Sequence, residues 1–185
     1  MNDKRNVIIV TDGDKRAKHA VELAAKNIGG RCISRSAGNP TELSGDEIVN
    51  YVLKAMYDPV VIMVDDLGHP GYGKGELAIS QIMTHPEINV LGVVAVASNT
   101  EMVSGVKVDF SVTCDGKIIN KAVDKEGHQT EDNKIYGDTV DVLNSYNFPV
   151  IVGIGDIGKM NRKDDCIIGA PIITKALEEI IKYKH

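Results

Sequence analysis

The stretch "PVVIMVDDLGHPGYGKGE", residues 59–76, joins an unbroken apolar run to two aspartates and a loop holding four glycines. A short continuous apolar run that ends in turn residues reads as a strand buried on both faces, as in a parallel sheet. From Gly68 the letters follow GxxxxGK, the spacing of a phosphate-binding loop. That loop needs Ser or Thr after the lysine, because the hydroxyl binds Mg²⁺. Gly75 stands there instead, and Pro70 has no N–H to offer a phosphate. "GIGDIGKM" at 153–160 imitates the same motif and also GxGxxG. Met160 replaces the hydroxyl residue, and no later strand presents an acid to a ribose. In a chain with 18 glycines such partial matches come by chance.

Working outward, strands and helices alternate. "NVIIVTD" is a first buried strand. A helix follows from about Lys15 to Ile28, with Ala17, Ala20, Val21, Ala24 and Ile28 on one face, and Gly29 and Gly30 end it. "RCISRS" is a second strand. Ser44 with Glu47 three residues on is a capping box that opens the next helix. "PVVIMVDD" is the third strand, residues 75–84 a helix, and "NVLGVVAVAS" the fourth strand. The alternation predicts a mostly parallel sheet covered by helices, a three-layer Rossmann-like (Toprim-like) α/β sandwich in a single domain over residues 1–185. The rhythm then breaks. Val106, Val108, Phe110 and Val112 alternate up to Asp115-Gly116, which predicts an antiparallel hairpin extension near 106–124. A polar surface loop over 124–136, a helix near 137–146, a last strand "PVIVGI" and a closing helix from Pro171 to about Lys182 complete the reading.

The bulk numbers bound the function. A chain of 185 residues can bury a full core without a disulfide staple. A formal charge of -5 argues against nucleic-acid binding by bulk phosphate neutralisation. Cys32, Cys114 and Cys166 match no zinc or CxxC spacing, so they are expected to be small buried hydrophobes of a reduced, cytoplasmic protein. No apolar stretch reaches the length of a membrane span or a secretory signal.

In open α/β sheets ligands bind outside the carboxyl ends of the strands, where backbone N–H groups and helix N-termini converge. Here those ends feed "TDGD" (11–14), "SRSAGNPT" (34–41), "DDLGHPGYGKGE" (65–76), "ASNTE" (97–101) and "GIGDIGK" (153–159), while the opposite ends are plain connectors. Asp12, Asp14, Asp65, Asp66 and Asp156 would repel one another there unless a hard divalent ion, Mg²⁺ or Ca²⁺, sat between them. The competing reading makes them helix caps, a role Asp14 suits well. Arg35, Lys74 and Lys159 are candidate partners for an anionic ligand, and His69, Ser98 and Asn99 complete the candidate ligand set. No GxSxG elbow is present, and no cysteine stands in a nucleophile setting.

The strings "VIIVTDGD", "GNPTELSG", "DPVVIMVDDLGHPGYGKGE", "HPEINVLGVVAVAS", "VDKEGH", "GDTVDVLN" and "PVIVGIGDIGKM" together resemble the stage V sporulation protein AE family, over about residues 5 to 182. The resemblance implies a soluble member of the SpoVA group of spore-forming bacteria. That group moves the calcium chelate of dipicolinic acid into the forespore and releases it at germination. It implies SpoVA membrane proteins as partners, calcium dipicolinate as a candidate ligand, and a forespore or spore location peripheral to the inner membrane. It supplies no catalytic residues. A weaker likeness to Toprim domains fails on their acidic pattern, since "TDGD" follows the first strand and "VDD" is not DxD. Two functions follow: a binding module of the dipicolinate system, or a metal-dependent hydrolase or phosphotransferase using Asp12, Asp14, Asp66 and Asp156. A third version docks a partner on the hairpin face, and an edge strand there could pair two copies.

Overall fold

A computed structural model describes residues 4–67, 73–99 and 102–183. The strands of its main sheet are β1 (Arg5–Val10), β2 (Arg31–Cys32), β3 (Val60–Met63), β4 (Ile88–Val96), β6 (Phe110–Val112), β7 (Ile118–Ile119) and β9 (Ile151–Ile154). These seven lie in the order β2-β3-β1-β4-β9-β6-β7. All pairings are parallel except β6–β7. A separate antiparallel pair joins β5 (Val106–Lys107) to β8 (Lys134–Ile135).

Helices cover both faces. α1 (Lys15–Asn27) and α4 (Pro171–Lys182) bury Val21, Ala24, Ile173 and Leu177 against Ile8, Val94 and Val152. α2 (Gly45–Leu53) and α3 (Lys74–Thr84) bury Ile48, Val52, Ile79 and Ile82 against Ile9, Ile62 and Val93. Alternate residues of each central strand feed opposite cores, which explains why these strands read as unbroken apolar runs. Two apolar layers around one sheet give the expected three-layer α/β sandwich.

Several boundaries differ from the sequence reading. The second strand stops at Cys32, and Ser34–Ser36 turn into a 3₁₀ helix whose Ser36 hydroxyl accepts from the Met63 N–H at 2.9 Å. The alternating run 106–112 is not one strand. Val106 and Val108 enter the core under α2 and α3, whereas Val112 enters the other core, so the chain crosses the sheet at Asp109. There the Asp109 carboxylate accepts from the Ile151 N–H at 2.7 Å. The Asp115-Gly116 turn does join β6 to β7, with Gly116 at φ 78. The expected helix over 137–146 is only a 3₁₀ turn, Asp141–Ser145, and Thr139 before it has φ 61, which breaks a helix. The stretch 124–136 is not a free loop, because it contains β8 and its Lys125 carbonyl accepts from the Asp156 N–H at 2.9 Å.

Candidate functional site

β1 lies between β3 and β4, so the strand order reverses there and the loops after β1 and β4 diverge. Asp12 follows β1 and Ser98 follows β4. Around this point the structure gathers Asp12, Asp14, Asp65, Asp138 and Asp156, with Asp66 on the α3 side. Asp12 is 9% exposed, Asp65 and Asp66 are 4% and Asp156 is 8%. A Cβ added to Gly158 would lie 3.4 Å from Asp156 Oδ1 and 3.7 Å from Asp14 Oδ2, so those two carboxylates flank one glycine.

Burial, then the charge of Asp14, with smaller contributions from Asp65 and Asp156, hold the Asp12 carboxyl well above the usual range. Burial pushes Asp65 up to about 6, and the Asp138 charge adds to it. Asp138 is itself raised by burial and by Asp66 and Asp156. Lys159 bridges to Asp156 at 3.0 Å, and that bond raises its pKa first, with Asp12 and Asp14 adding their fields.

Most of these carboxylates already hold backbone amides. Asp14 Oδ1 caps α1, accepting from Arg16 N–H at 2.7 Å and Ala17 N–H at 2.8 Å. Asp65 accepts from Gly13 N–H at 3.2 Å and Leu67 N–H at 3.0 Å. Asp156 Oδ1 accepts from Gly158 N–H at 2.9 Å. Asp66 resolves the puzzle of the glycine-rich loop. Gly73 is the N-cap of α3 and has no side chain to offer. Asp66 reaches across instead, accepting from Gly75 N–H at 2.6 Å and Glu76 N–H at 3.1 Å, with the Thr139 hydroxyl 3.3 Å away. Glu76 completes the cap by accepting from Gly73 N–H at 3.1 Å. A Cβ on Gly73 would stand 2.1 Å from Asp66 Oδ1, so glycine is there to admit a carboxylate of the chain itself. The helix N-terminus that a P-loop would turn on a phosphate is already filled.

α4 repeats the device. Its N-cap Ala170 has no acceptor, and the fully buried Asp164 accepts from Ile172 and Ile173 N–H at 2.7 and 3.0 Å. α2 closes with the Ser44–Glu47 capping box. Each described α-helix therefore spends its N-terminal amides on an acceptor from this chain.

The remaining expected residues fall outside the acidic group or on its rim. Ser98 is at the rim, its Oγ accepting from Asp138 N–H at 3.0 Å. Asn99 is exposed beside it, and Lys74 is exposed at the start of α3. Arg35 is drawn away, its guanidinium 5.5 Å above the Tyr51 ring on α2. His69 lies outside the described residues. Among the described residues no group of three or more His, Cys, Asp or Glu side chains is arranged to hold a metal ion. The proposed Mg²⁺ or Ca²⁺ ligands converge as charges, but their oxygens are turned onto amides. Sequence reasoning missed Asp138, Thr139 and Thr41, whose hydroxyl accepts from the Asp65 N–H at 2.8 Å. Asp138 follows the two-residue strand β8, which carries no periodic signal.

A separate cleft of ≈ 500 Å³ lies against the β2 edge, lined by Glu22, Lys26, Arg31, Cys32 and Tyr57 among others. It contains none of the expected site residues, and burial pushes its Cys32 thiol up to about 12.

No helix among the described residues is long and apolar enough to cross a membrane. No curated protein and no solved structure gives a significant match to the chain. The family model of stage V sporulation protein AE1 matches residues 6–184, nearly the whole chain, and the protein belongs to that sporulation family of the SpoVA group.

Proposed function

We propose that the protein is an accessory, ligand-binding component of the SpoVA dipicolinate system. It would work in the forespore or spore, held at the inner membrane by the SpoVA membrane proteins. Its strand-end cleft attracts calcium as cargo, alone or as calcium dipicolinate, through its net charge rather than through a ligand set preformed among the described residues, and does not take the free dipicolinate dianion. One observation carries this reading. The cleft is acidic, with Asp12, Asp65 and Asp138 all raised in pKa by burial first and then by neighbouring carboxylates, and the α1 and α3 N-termini beside it are closed to anions by their caps. Mutual repulsion makes a cation welcome there and an anion costly.

The test is a thermal-shift titration with CaCl₂, MgCl₂, dipicolinate and calcium dipicolinate. A ligand at 100 times its dissociation constant stabilises a fold by about 2.7 kcal/mol, which is a readable shift. Calcium or its chelate is expected to raise Tm at pH 7.5 and less at pH 5.5, where protons compete for the same carboxylates. Asp12→Asn and Asp138→Asn are expected to abolish the rise. A rise with free dipicolinate alone, or none with any calcium species, refutes this reading. Turnover of a phosphorylated substrate that Asp12→Asn abolishes would establish the hydrolase alternative instead.

A further inference from the structure

The three cysteines stand in different settings. Cys32 is buried, and its thiol is held protonated up to about 12. Cys166 is half-buried, and burial with the neighbouring Asp165 raises its thiol as well. Cys114 lies just past β6, is 8% exposed, and meets a cation: Lys163 Nζ stands 3.4 Å from its Sγ. Lys163 is exposed, so the pair sits at the water boundary. Its backbone is fixed on both sides. The Lys163 N–H donates to Met160 carbonyl at 2.9 Å, and the Cys114 N–H donates to Gly127 carbonyl at 2.8 Å. The two side chains come from segments 49 residues apart that the fold holds together.

We propose that Cys114 and Lys163 are a redox-reversible modification site, at which peroxide forms a covalent Sγ–Nζ sulfenamide. Hydrogen peroxide oxidises the Cys114 thiol by two electrons to a sulfenic acid, transferring one oxygen to sulfur and leaving one water. The Lys163 ammonium releases one proton to solvent, the resulting amine attacks that sulfur, the S–O bond breaks, and a second water departs with a further proton from nitrogen. The product is two hydrogens lighter than the reduced pair. A dithiol reductant restores thiol and amine and is itself oxidised to a disulfide. The preset amine is what separates this cysteine from the other two. It offers the sulfenic acid an intramolecular partner at high effective concentration, ahead of further oxidation. The bond would pin the 161–163 turn to the end of β6. That turn directly precedes Asp164, the cap of α4, and follows Lys159 of the acidic cleft.

The experiment is peptide mapping of the peroxide-treated full chain. Tryptic peptides 108–117 and 163–175 would be joined, with no cleavage after Lys163. Peptide 163–175 also contains Cys166, so a Cys114–Cys166 disulfide would have the same mass. The mapping is therefore run on Cys166→Ser, in which any sulfur link between these two peptides must use Lys163 nitrogen. A joined peptide that dithiothreitol releases, and that Lys163→Ala lacks, is the expected result. Lys163→Ala is also expected to raise labelling of Cys114 by a sulfenic-acid trap several-fold. Sulfinic or sulfonic Cys114 without a link, an unoxidised Cys114, or a link that disappears in Cys166→Ser each overturns the proposal. Lys163 is exposed, so its variant leaves the core intact.

Discussion

Removing the Asp66 carboxylate tests the cap on which the site is built. Asp66→Ala leaves the Gly75 and Glu76 N–H groups without their acceptors and the Thr139 hydroxyl without a contact. Losing a helix cap costs about 0.5–2 kcal/mol. A buried donor left unsatisfied costs about 1–3 kcal/mol, and Gly75 is buried while Glu76 is half-buried. The two descriptions overlap, so the combined loss is about 2–4 kcal/mol, with relief from burying the anion already set against it. Gly73→Ala approaches the same contact from the other side. Gly73 has φ -89, which alanine adopts freely, so its cost is steric: a Cβ 2.1 Å from Asp66 Oδ1. Overpacking of this kind costs about 1–3 kcal/mol. In the double variant the clashing oxygen is gone, so the two costs must not add. A coupling of about 1–2 kcal/mol is expected from the double-mutant cycle. Urea unfolding measures all four proteins, and each kcal/mol should move Tm by roughly 2–4 °C at this size. A loss under about 0.5 kcal/mol for Asp66→Ala, or additive single costs, would refute the capping argument.

Stability should also depend on pH in an unusual direction. Asp65 and Asp164 titrate in the folded state at about 6, against an ordinary aspartate value of 3.8, because burial disfavours their charge. The folded protein therefore keeps protons that the unfolded chain has released. Their contribution is lost as pH rises from about 4 through about 6, and it is flat above that. Each group accounts for up to about 3 kcal/mol at 1.36 kcal/mol per unit. Asp164→Asn should remove its share of this slope while its carbonyl oxygen still accepts from α4, and urea unfolding between about pH 4 and 8 checks it; an unchanged slope counts against the assignment. Ser111 is fully buried in β6 with an Oγ that meets no hydrogen-bond partner. Ser111→Ala should be neutral or stabilising by about 1 kcal/mol in thermal unfolding, and a clear loss would point to a buried partner for the hydroxyl.

The central architecture was legible because it rests on pattern. Residues such as Ile8, Ile62 and Val94 have no exposed face, and Ala17 to Ala24 keep one helical stripe, so run length and period alone place β1, β3, β4 and α1. The periphery was not legible for a physical reason. β2, β5 and β8 are two residues long, and their positions are set by partners far away in the chain, whereas the equally short β7 follows its local Asp115-Gly116 turn. The strand alternation from Val106 to Val112 was real, yet the crossing at Asp109 reverses which core it feeds. The site was legible as a place, the carboxyl ends of the strands, and in its acids. The purpose of each acid was not. Asp66 and Asp164 cap helices that begin seven or eight residues later, a separation at which no short motif records the contact. Asp14 next to its own helix was readable as a cap, because N-capping is local.

These caps also decide the sign of the cleft. In this architecture helix N-termini usually make the strand ends hospitable to phosphate or carboxylate groups. At the cleft Asp14 neutralises the α1 terminus, and Asp66 and Glu76 the α3 terminus, whereas the α4 terminus capped by Asp164 lies beside Asn27 at the far end of α1. Each cap removes a partial positive charge and leaves a full negative one nearby. Lys159 is bridged to Asp156, and Arg35 is stacked on Tyr51, so neither is turned outward on an anion. The same residues that make the loop look like a nucleotide site therefore bias it against a nucleotide. Gly73 and Gly75 admit Asp66 to the α3 amides rather than a phosphate. Asp66→Ala, which frees the α3 amides and removes the repelling carboxylate while Gly73 keeps the space in front of them open, should show measurable inorganic phosphate binding by calorimetry where the parent protein shows none. Absence of phosphate binding in that variant would mean that the remaining acids, Asp12, Asp65 and Asp138, set the sign of the cleft without help from the caps.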